Sequence, residues 1–402
     1  MGPTSIIVLV LVLLLAAGLI AAAAFFPRLY VKLIAAPLCL VVSIFAGALM
    51  VNDFFQYYTS WGAAFADLTG SGNSYAVQAA QADLRRGGGQ AAQGRLMQIR
   101  LPGTRSGINR EALVYLPPQY YAAADRGVRF PVVELLHGTP GDPSVWVSEL
   151  RVVHIVTNLI RHREMGPVVL VMPDSNGGLR SGGEECLDTP TVKDETYIGT
   201  DVPTDIRSRF RVSAAPTQWG LLGFSSGGYC AANLMMRHRA SFGSAAIIEG
   251  YFNPRQGPAA ARLGFSAAAE RANNPLATAL ALPPGAAPLP ACWVAVGTGD
   301  ASDYYAGMSF ARAVARLEAV PVLVMKGAHH TAIADRTAIP GALTWTWQQL
   351  ASPAQRAQFP TVAPGAGLQP TRYAQPLPTR SSKRHTAVLA HGAGTGSNHP
   401  TR

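Results

Sequence analysis

Trp219-Gly220-Leu221-Leu222-Gly223-Phe224-Ser225-Ser226-Gly227 passes from an apolar run through Gly-x-Ser-x-Gly, and the segment Tyr229 to His238 that follows has helical character. Between a strand and a helix this pattern is a nucleophile elbow, a tight strained turn that lifts a serine hydroxyl clear of a sheet. Glycines flank the serine because backbone there lies against backbone and leaves no room for side chains. Alone, the pentapeptide reads as an ordinary Ser/Gly-rich loop. The strand before it and the helix after it supply the context that the chemistry requires.

Outward from the elbow, strand and helix patterns alternate. Leu96 to Leu101 and Ala112 to Leu116, the latter ending at Pro117-Pro118, are predicted to be two antiparallel leading strands. Pro131 to Leu136 and Pro167 to Met172 are continuous aliphatic runs of the kind buried on both faces of a parallel sheet. Between them, Val147 to Arg163 has helical spacing at Val152, Ile155, Val156, Leu159 and Ile160. The alternation continues through Ala245 to Ile248, Cys292 to Val296, Met308 to Leu317 and Val322 to Met325. It predicts an α/β fold with a mostly parallel central sheet and helices on both faces. Pro254 to Pro290 interrupts it with an Ala/Pro-rich segment, read either as a substrate-covering insertion or as a passive surface loop.

A serine hydroxyl needs a base to take its proton, and the base needs a carboxylate to orient it. After the strand Cys292 to Val296 comes Gly297-Thr298-Gly299-Asp300-Ala301-Ser302-Asp303, and after Val322 to Met325 comes Gly327-Ala328-His329-His330. The order serine, acid, histidine is thus available, each residue on a loop after a strand. His154, His162 and His238 lie on predicted helices, and His385, His391 and His399 lie near the C-terminus. His137-Gly138-Thr139-Pro140-Gly141 follows an early strand and supplies the second half of an oxyanion hole. The two donors expected are the N-H groups of Thr139 and Ser226, since Pro140 has none to give. Trp146, Asp174 and Ser175 lie at strand ends nearby, in packing, turn or lining roles. No His/Asp/Glu cluster has metal-ligand spacing, and no cofactor is expected.

The N-terminus explains why only 14% of the 402 residues are charged while 49% are hydrophobic. Ser5 to Phe26 carries no charge and is long enough to cross a bilayer, and Leu33 to Val51 forms a second such run. Met1-Gly2-Pro3-Thr4 lacks the positive start of a cleavable signal. Arg28 and Lys32 in the connector place it in the cytoplasm by the positive-inside rule, so the rest of the chain is expected outside, as in a two-pass cell-membrane protein. Phe54, Phe55, Tyr57, Tyr58 and Trp61 resemble an aromatic belt at the outer interface. The organisation expected is a two-helix anchor (1–58), a linker without a buried face (59–93), a catalytic domain (94–351) and a disordered Pro/Gly/basic tail (352–402). The net charge of +10 comes without any nucleic-acid motif, and no nucleic-acid partner is expected.

Cys186 sits in the polar loop Glu184-Glu185-Cys186-Leu187-Asp188, and Cys230 lies just past the elbow. A disulfide between them would pin a loop beside the site and would persist outside the cytoplasm. Cys39 reads as an apolar filler in the second span and Cys292 as core.

Tyr115-Leu116-Pro117, Leu135-Leu136-His137-Gly138-Thr139, Gly223-Phe224-Ser225-Ser226-Gly227-Gly228 and Gly327-Ala328-His329 together resemble the esterase D and antigen 85 branch of the α/β-hydrolases, over roughly 94–350. The likeness is strongest to membrane-anchored or secreted actinobacterial members. Carboxylesterases, S-formylglutathione hydrolases and mycolyltransferases belong to that family. The resemblance implies Ser225 as nucleophile, His329 as base with His330 as the alternative, and Thr139 and Ser226 as oxyanion donors. Esterase D-like spacing selects Asp300 as the acid and is preferred, whereas antigen 85-like spacing selects Asp303. The substrates implied are acyl esters or thioesters, including lipids and glycolipids, with water or a sugar hydroxyl as acceptor. A catalytically silent envelope scaffold is the competing class, and the intact order of serine, acid and histidine argues against it.

Overall fold

The computed structural model describes residues 2–26, 28–86, 94–177, 186–254, 266–283, 285–286, 288–362 and 371–372. One sheet contains β1 (Arg95–Pro102), β2 (Asn109–Leu116), β3 (Val132–Leu136), β4 (Val169–Pro173), β5 (Trp219–Phe224), β6 (Ser244–Ile248), β7 (Ala291–Gly297), β8 (Pro321–Met325) and β9 (Thr371–Arg372). Their spatial order is β1-β2-β4-β3-β5-β6-β7-β8-β9. β1 and β2 are antiparallel, β2 is antiparallel to β4, the strands from β4 to β8 in that order run parallel, and β9 closes the far edge antiparallel.

The helices are α1 (Ile6–Phe25), α2 (Leu29–Phe55), α3 (Trp61–Leu68), α4 (Gly72–Arg86), α5 (Ser144–Ser148), α6 (Val152–Arg161), α7 (Val202–Arg209), α8 (Ser226–Arg237), α9 (Ala267–Ala272), α10 (Pro275–Ala281), α11 (Ala301–Ala315), α12 (Ala332–Leu350) and α13 (Pro353–Gln358). Successive strand residues point to opposite faces, so the unbroken aliphatic runs feed two cores. Val132, Val171, Leu221, Ile247 and Val294 meet α8 and α11 through Met235 and Phe310. Val133, Leu170, Leu222 and Trp293 meet α6 and α12 through Val156, Ile339 and Trp347.

Register aligns the carboxyl ends of the strands. Leu136 pairs with Gly223, Phe224 with Ile248, Ile248 with Ala295, and Gly297 with Met325. The loops after β3, β5, β6, β7 and β8 therefore open on one edge, where such sheets bind ligands.

Two expectations need correction. The segment expected as a linker without a buried face has one in its described part, 59–86: α4 lays Ala76 and Ala80 into the second core beside Leu96, Leu113 and Tyr115. Alanine lets a helix backbone approach the sheet closely, so this contact carries no stripe of large apolar residues to read. The packed body also continues past 351, because α13 begins in a Ser352–Gln355 capping box and Gln355 bonds the Arg129 carbonyl and the Gln218 side chain. Beyond residue 362 the expected tail, apart from Thr371–Arg372, lies outside the described residues. The 254–290 interruption, read as a substrate-covering insertion or a surface loop, carries α9 and α10 in its described part, with Ala279 of α10 fully buried and the Asn273 carbonyl accepting from Tyr229 Oη.

α1 and α2 are each long and apolar enough to cross a membrane, with mean hydropathies of 3.2 and 2.5. They pack through small residues, Ala16 against the region of Cys39, whose Sγ lies 3.8 Å from the Ala16 carbonyl. α2 extends beyond the run read from the sequence at both ends, to Leu29 and to Phe55.

Replacing Ala76 by Leu should overpack the contact between α4 and the sheet and cost about 1–3 kcal/mol. Thermal unfolding of the detergent-solubilised chain measures it, and an unchanged midpoint would return this segment to the status of a tether.

Candidate active site

Ser225 has φ 56° and ψ −124°, a conformation that non-glycine residues rarely adopt. Its N-H donates to the Ile248 carbonyl at 3.0 Å, which ties the turn to β6. A Cβ on Gly223 would lie 2.0 Å from the Gly227 carbonyl oxygen, and one on Gly227 would lie 2.0 Å from that of Leu136. These close approaches explain both glycines of the pentapeptide. Ser226 is the first residue of α8, so its N-H belongs to the orphan donors at a helix start.

The loop after β3 lies directly across. A Cβ on Gly138 would stand 3.1 Å from Ser225 Cβ. Thr139 Oγ1 accepts from Ser226 Oγ at 2.9 Å and from Asn176 Nδ2 at 2.7 Å, joining the loop to the elbow and to the β4 loop. The buried His137 accepts from the Ser175 N-H at Nε2 (3.1 Å), which leaves the ring proton on Nδ1 for the Gly138 carbonyl (2.9 Å). Asp174 accepts from the Asn176 and Gly177 N-H groups, a turn role. Trp146 is fully buried with its ring edge-on to Phe224, so its role is packing.

The loops after β7 and β8 bring two carboxylates and two imidazoles together. His330 Nδ1 is 2.8 Å from Asp303 Oδ2. His329 Nδ1 is 3.4 Å from Asp300 Oδ1, and its side chain is 53% exposed. Asp300 Oδ2 also accepts the His330 backbone N-H at 2.7 Å, which holds its carboxyl below the usual range. Ser225, Thr139, Phe224, His330 and Asp335 line one small cleft of about 30 Å³, closed on another side by Phe55 and Tyr57.

Beneath His330 lie Glu249, at the end of β6, and Asp335, on the first turn of α12, both buried. Burial, then the facing Asp335, pushes the Glu249 carboxyl up, and burial pushes Asp335 up as well. Two facing buried carboxyls resist ionising together. Burial opposes a charged His330, but the bond to Asp303 and the charge of Asp335 and Glu249 outweigh it and raise its pKa to about 9. A shorter spacing clue exists for Glu249, an acid closing the apolar strand Ala245 to Ile248, but nothing in the sequence brings Asp335, Phe55 or Tyr57 to the cleft.

Cys186 and Cys230 form a disulfide with a Cα–Cα distance of 5.5 Å, which ties the chain after β4 to α8. Cys39 and the buried Cys292 are free thiols. A cavity of about 1060 Å³ lies between α4 and α6 beside Tyr75, Arg151, His154 and Phe359, away from Ser225.

Residues 104–362 match the family described as "Putative esterase", and the chain belongs to that family. The fold and the elbow thus define an α/β-hydrolase of the esterase class, in keeping with the esterase D resemblance. An uncharacterized protein of Corynebacterium glutamicum is 30% identical over 223 residues, which is 54% of this chain, and the match spans only 51% of that relative. An S-formylglutathione hydrolase from Agrobacterium tumefaciens superposes with a TM-score of 0.54 at 18% identity, covering 65% of this chain and 98% of that one. The fluorophosphonate-binding serine hydrolase F of Staphylococcus aureus gives 0.52 at 15% identity, covering 63% and 98%. A ferulic acid esterase gives 0.53 at 18% identity, covering 64% and 99%.

Gly227→Ala should drive its Cβ into the Leu136 carbonyl and cost at least about 3 kcal/mol, the top of the usual overpacking range. Thermal unfolding of the full chain reads this, and wild-type stability would show that the elbow relaxes without β3.

Proposed function

We propose that this protein is a membrane-anchored, extracytoplasmic serine esterase or acyltransferase in which Ser225 is the nucleophile, His330 the base and Asp303 the orienting acid. The observation that carries the assignment is the cleft shared by Ser225 and His330, with His330 Nδ1 2.8 Å from Asp303 Oδ2. His329 and Asp300, preferred from family spacing, are the alternative pair. The 53% exposure of His329 and its longer 3.4 Å contact favour it less. Asp300 is better suited to positioning, since it grips the backbone that carries His330.

The chemistry follows from these roles. Ser225 Oγ attacks the carbonyl of an ester or thioester while His330 takes its proton. The oxyanion is held by the N-H groups of Thr139 and Ser226, and His330 returns the proton to the departing alcohol or thiol. The acyl-enzyme then passes to water or to a sugar hydroxyl by the same steps in reverse. Glycolipid acyl transfer of the mycolyltransferase type uses the second acceptor.

Arg28 just before α2 and Lys32 in its first turn support a cytoplasmic connector with the esterase body outside, and the Cys186–Cys230 disulfide suits that compartment.

A fluorophosphonate probe should label the wild-type chain and not Ser225→Ala; equal labelling of both would remove Ser225 from the reaction. His330→Gln and Asp303→Asn should each lower kcat by roughly 10³–10⁴-fold, whereas His329→Gln should keep the same order of magnitude. The reverse pattern would restore the other pair. The base acts only when neutral, so kcat/KM should rise with pH up to about 9 as His330 loses its proton. Removing the Asp303 charge destabilises the imidazolium, and the rising limb of Asp303→Asn should move to lower pH.

A further inference from the structure

α2 does not hand over to a flexible tether at its end. Asn52, buried in its last turn, receives the Tyr58 N-H at Oδ1 (2.7 Å) and donates from Nδ2 to the Tyr58 carbonyl (3.0 Å). The Tyr58 hydroxyl bonds the Asp67 carboxylate on α3, and Gln56 closes the helix in the left-handed region at φ 58°. This clamp sets the backbone that carries Phe54, Phe55 and Tyr57 beside the esterase body, and their side chains take no part in it. Phe55 and Tyr57 line the cleft with Ser225 and His330, and the Phe54 ring lies 6.4 Å from the His329 ring.

α3 sets the depth of the cleft. Its Ala63 and Ala66 are buried, whereas Trp61, Phe65 and Leu68, spaced i, i+4, i+7, are 40%, 69% and 83% exposed. An apolar stripe left open beside a spanning helix suits the plane of the bilayer interface. Trp61 stacks on Phe45 of α2 at 6.2 Å, and about 15 Å of helix separates Phe45 from Phe55. The serine therefore sits close above the outer leaflet.

A cleft of about 30 Å³ has room for little more than a water, not for an ester. Most of its walls are strand ends and loops held by the sheet. Phe55 and Tyr57, half-buried side chains on the anchor, are the walls able to rotate away, and the side they vacate faces α2 and the leaflet.

We propose that the aromatic end of the anchor helix gates the active site, and that rotation of Phe55 and Tyr57 admits the acyl chain of a lipid ester drawn from the outer leaflet along α2. The anchor is then a specificity-determining wall of the site, an inference that rests on the Ser225 assignment and on the two-span topology proposed above.

The test uses the full chain in phosphatidylcholine vesicles with two substrates sharing one leaving group, 4-methylumbelliferyl palmitate in the bilayer and 4-methylumbelliferyl butyrate in water. In Phe55→Ala and Tyr57→Ala, which remove the closing rings, the palmitate-to-butyrate ratio of kcat/KM should rise about tenfold. A ratio unchanged or lowered in variants that still react with a fluorophosphonate would overturn the gate. If either variant fails to react, the milder Phe55→Leu decides by the same ratio. Ser225→Ala is run alongside: turnover surviving there would refute the nucleophile and not the gate.

Discussion

The strained backbone at Ser225 is the constraint on which the site depends. A positive φ at a serine is held only because the surroundings leave no alternative: Gly223 and Gly227 bring three segments of main chain into contact, and the Ser225 N-H is captured by Ile248. With β3, β5 and β6 locked in register, the hydroxyl points from the sheet edge and the first N-H of α8 opens beside it. The Thr139 hydroxyl then carries this order outward, since it bridges Ser226 and Asn176.

Around His330 the governing effect is electrostatic. One carboxylate, Asp303, meets the ring at a half-buried edge, and two buried carboxyls, Glu249 and Asp335, lie beneath. Such an environment favours the imidazolium, the species that the proposed proton transfer from Ser225 would form. It also makes the neutral ring scarcer near pH 7, so stabilising the intermediate trades against the population of free base.

The N-terminal helices and the esterase body form a continuous structure. Asn52 rigidifies the exit from α2, α3 turns back along it through Trp61 and Phe45, and α4 is built into the second core through Ala76 and Ala80. An aromatic cluster read as an interface belt therefore divides its labour: Trp61 stacks on the anchor, while Phe55 and Tyr57 reach the serine.

Local patterns sufficed for much of this. The aliphatic runs, the Gly-Phe-Ser-Ser-Gly turn, the loops carrying Asp300, Asp303, His329 and His330, and the two apolar N-terminal helices are legible because each depends on neighbours in the chain: strand burial, glycine sterics and span length. The pairing of His330 with Asp303, the Glu249–Asp335 layer and the arrival of Phe55 and Tyr57 were decided only by tertiary structure. Two adjacent histidines on one loop differ by a rotation about the backbone that no spacing reveals. Contacts between a helix ending at residue 55 and a serine at 225 exist only once the sheet has gathered them.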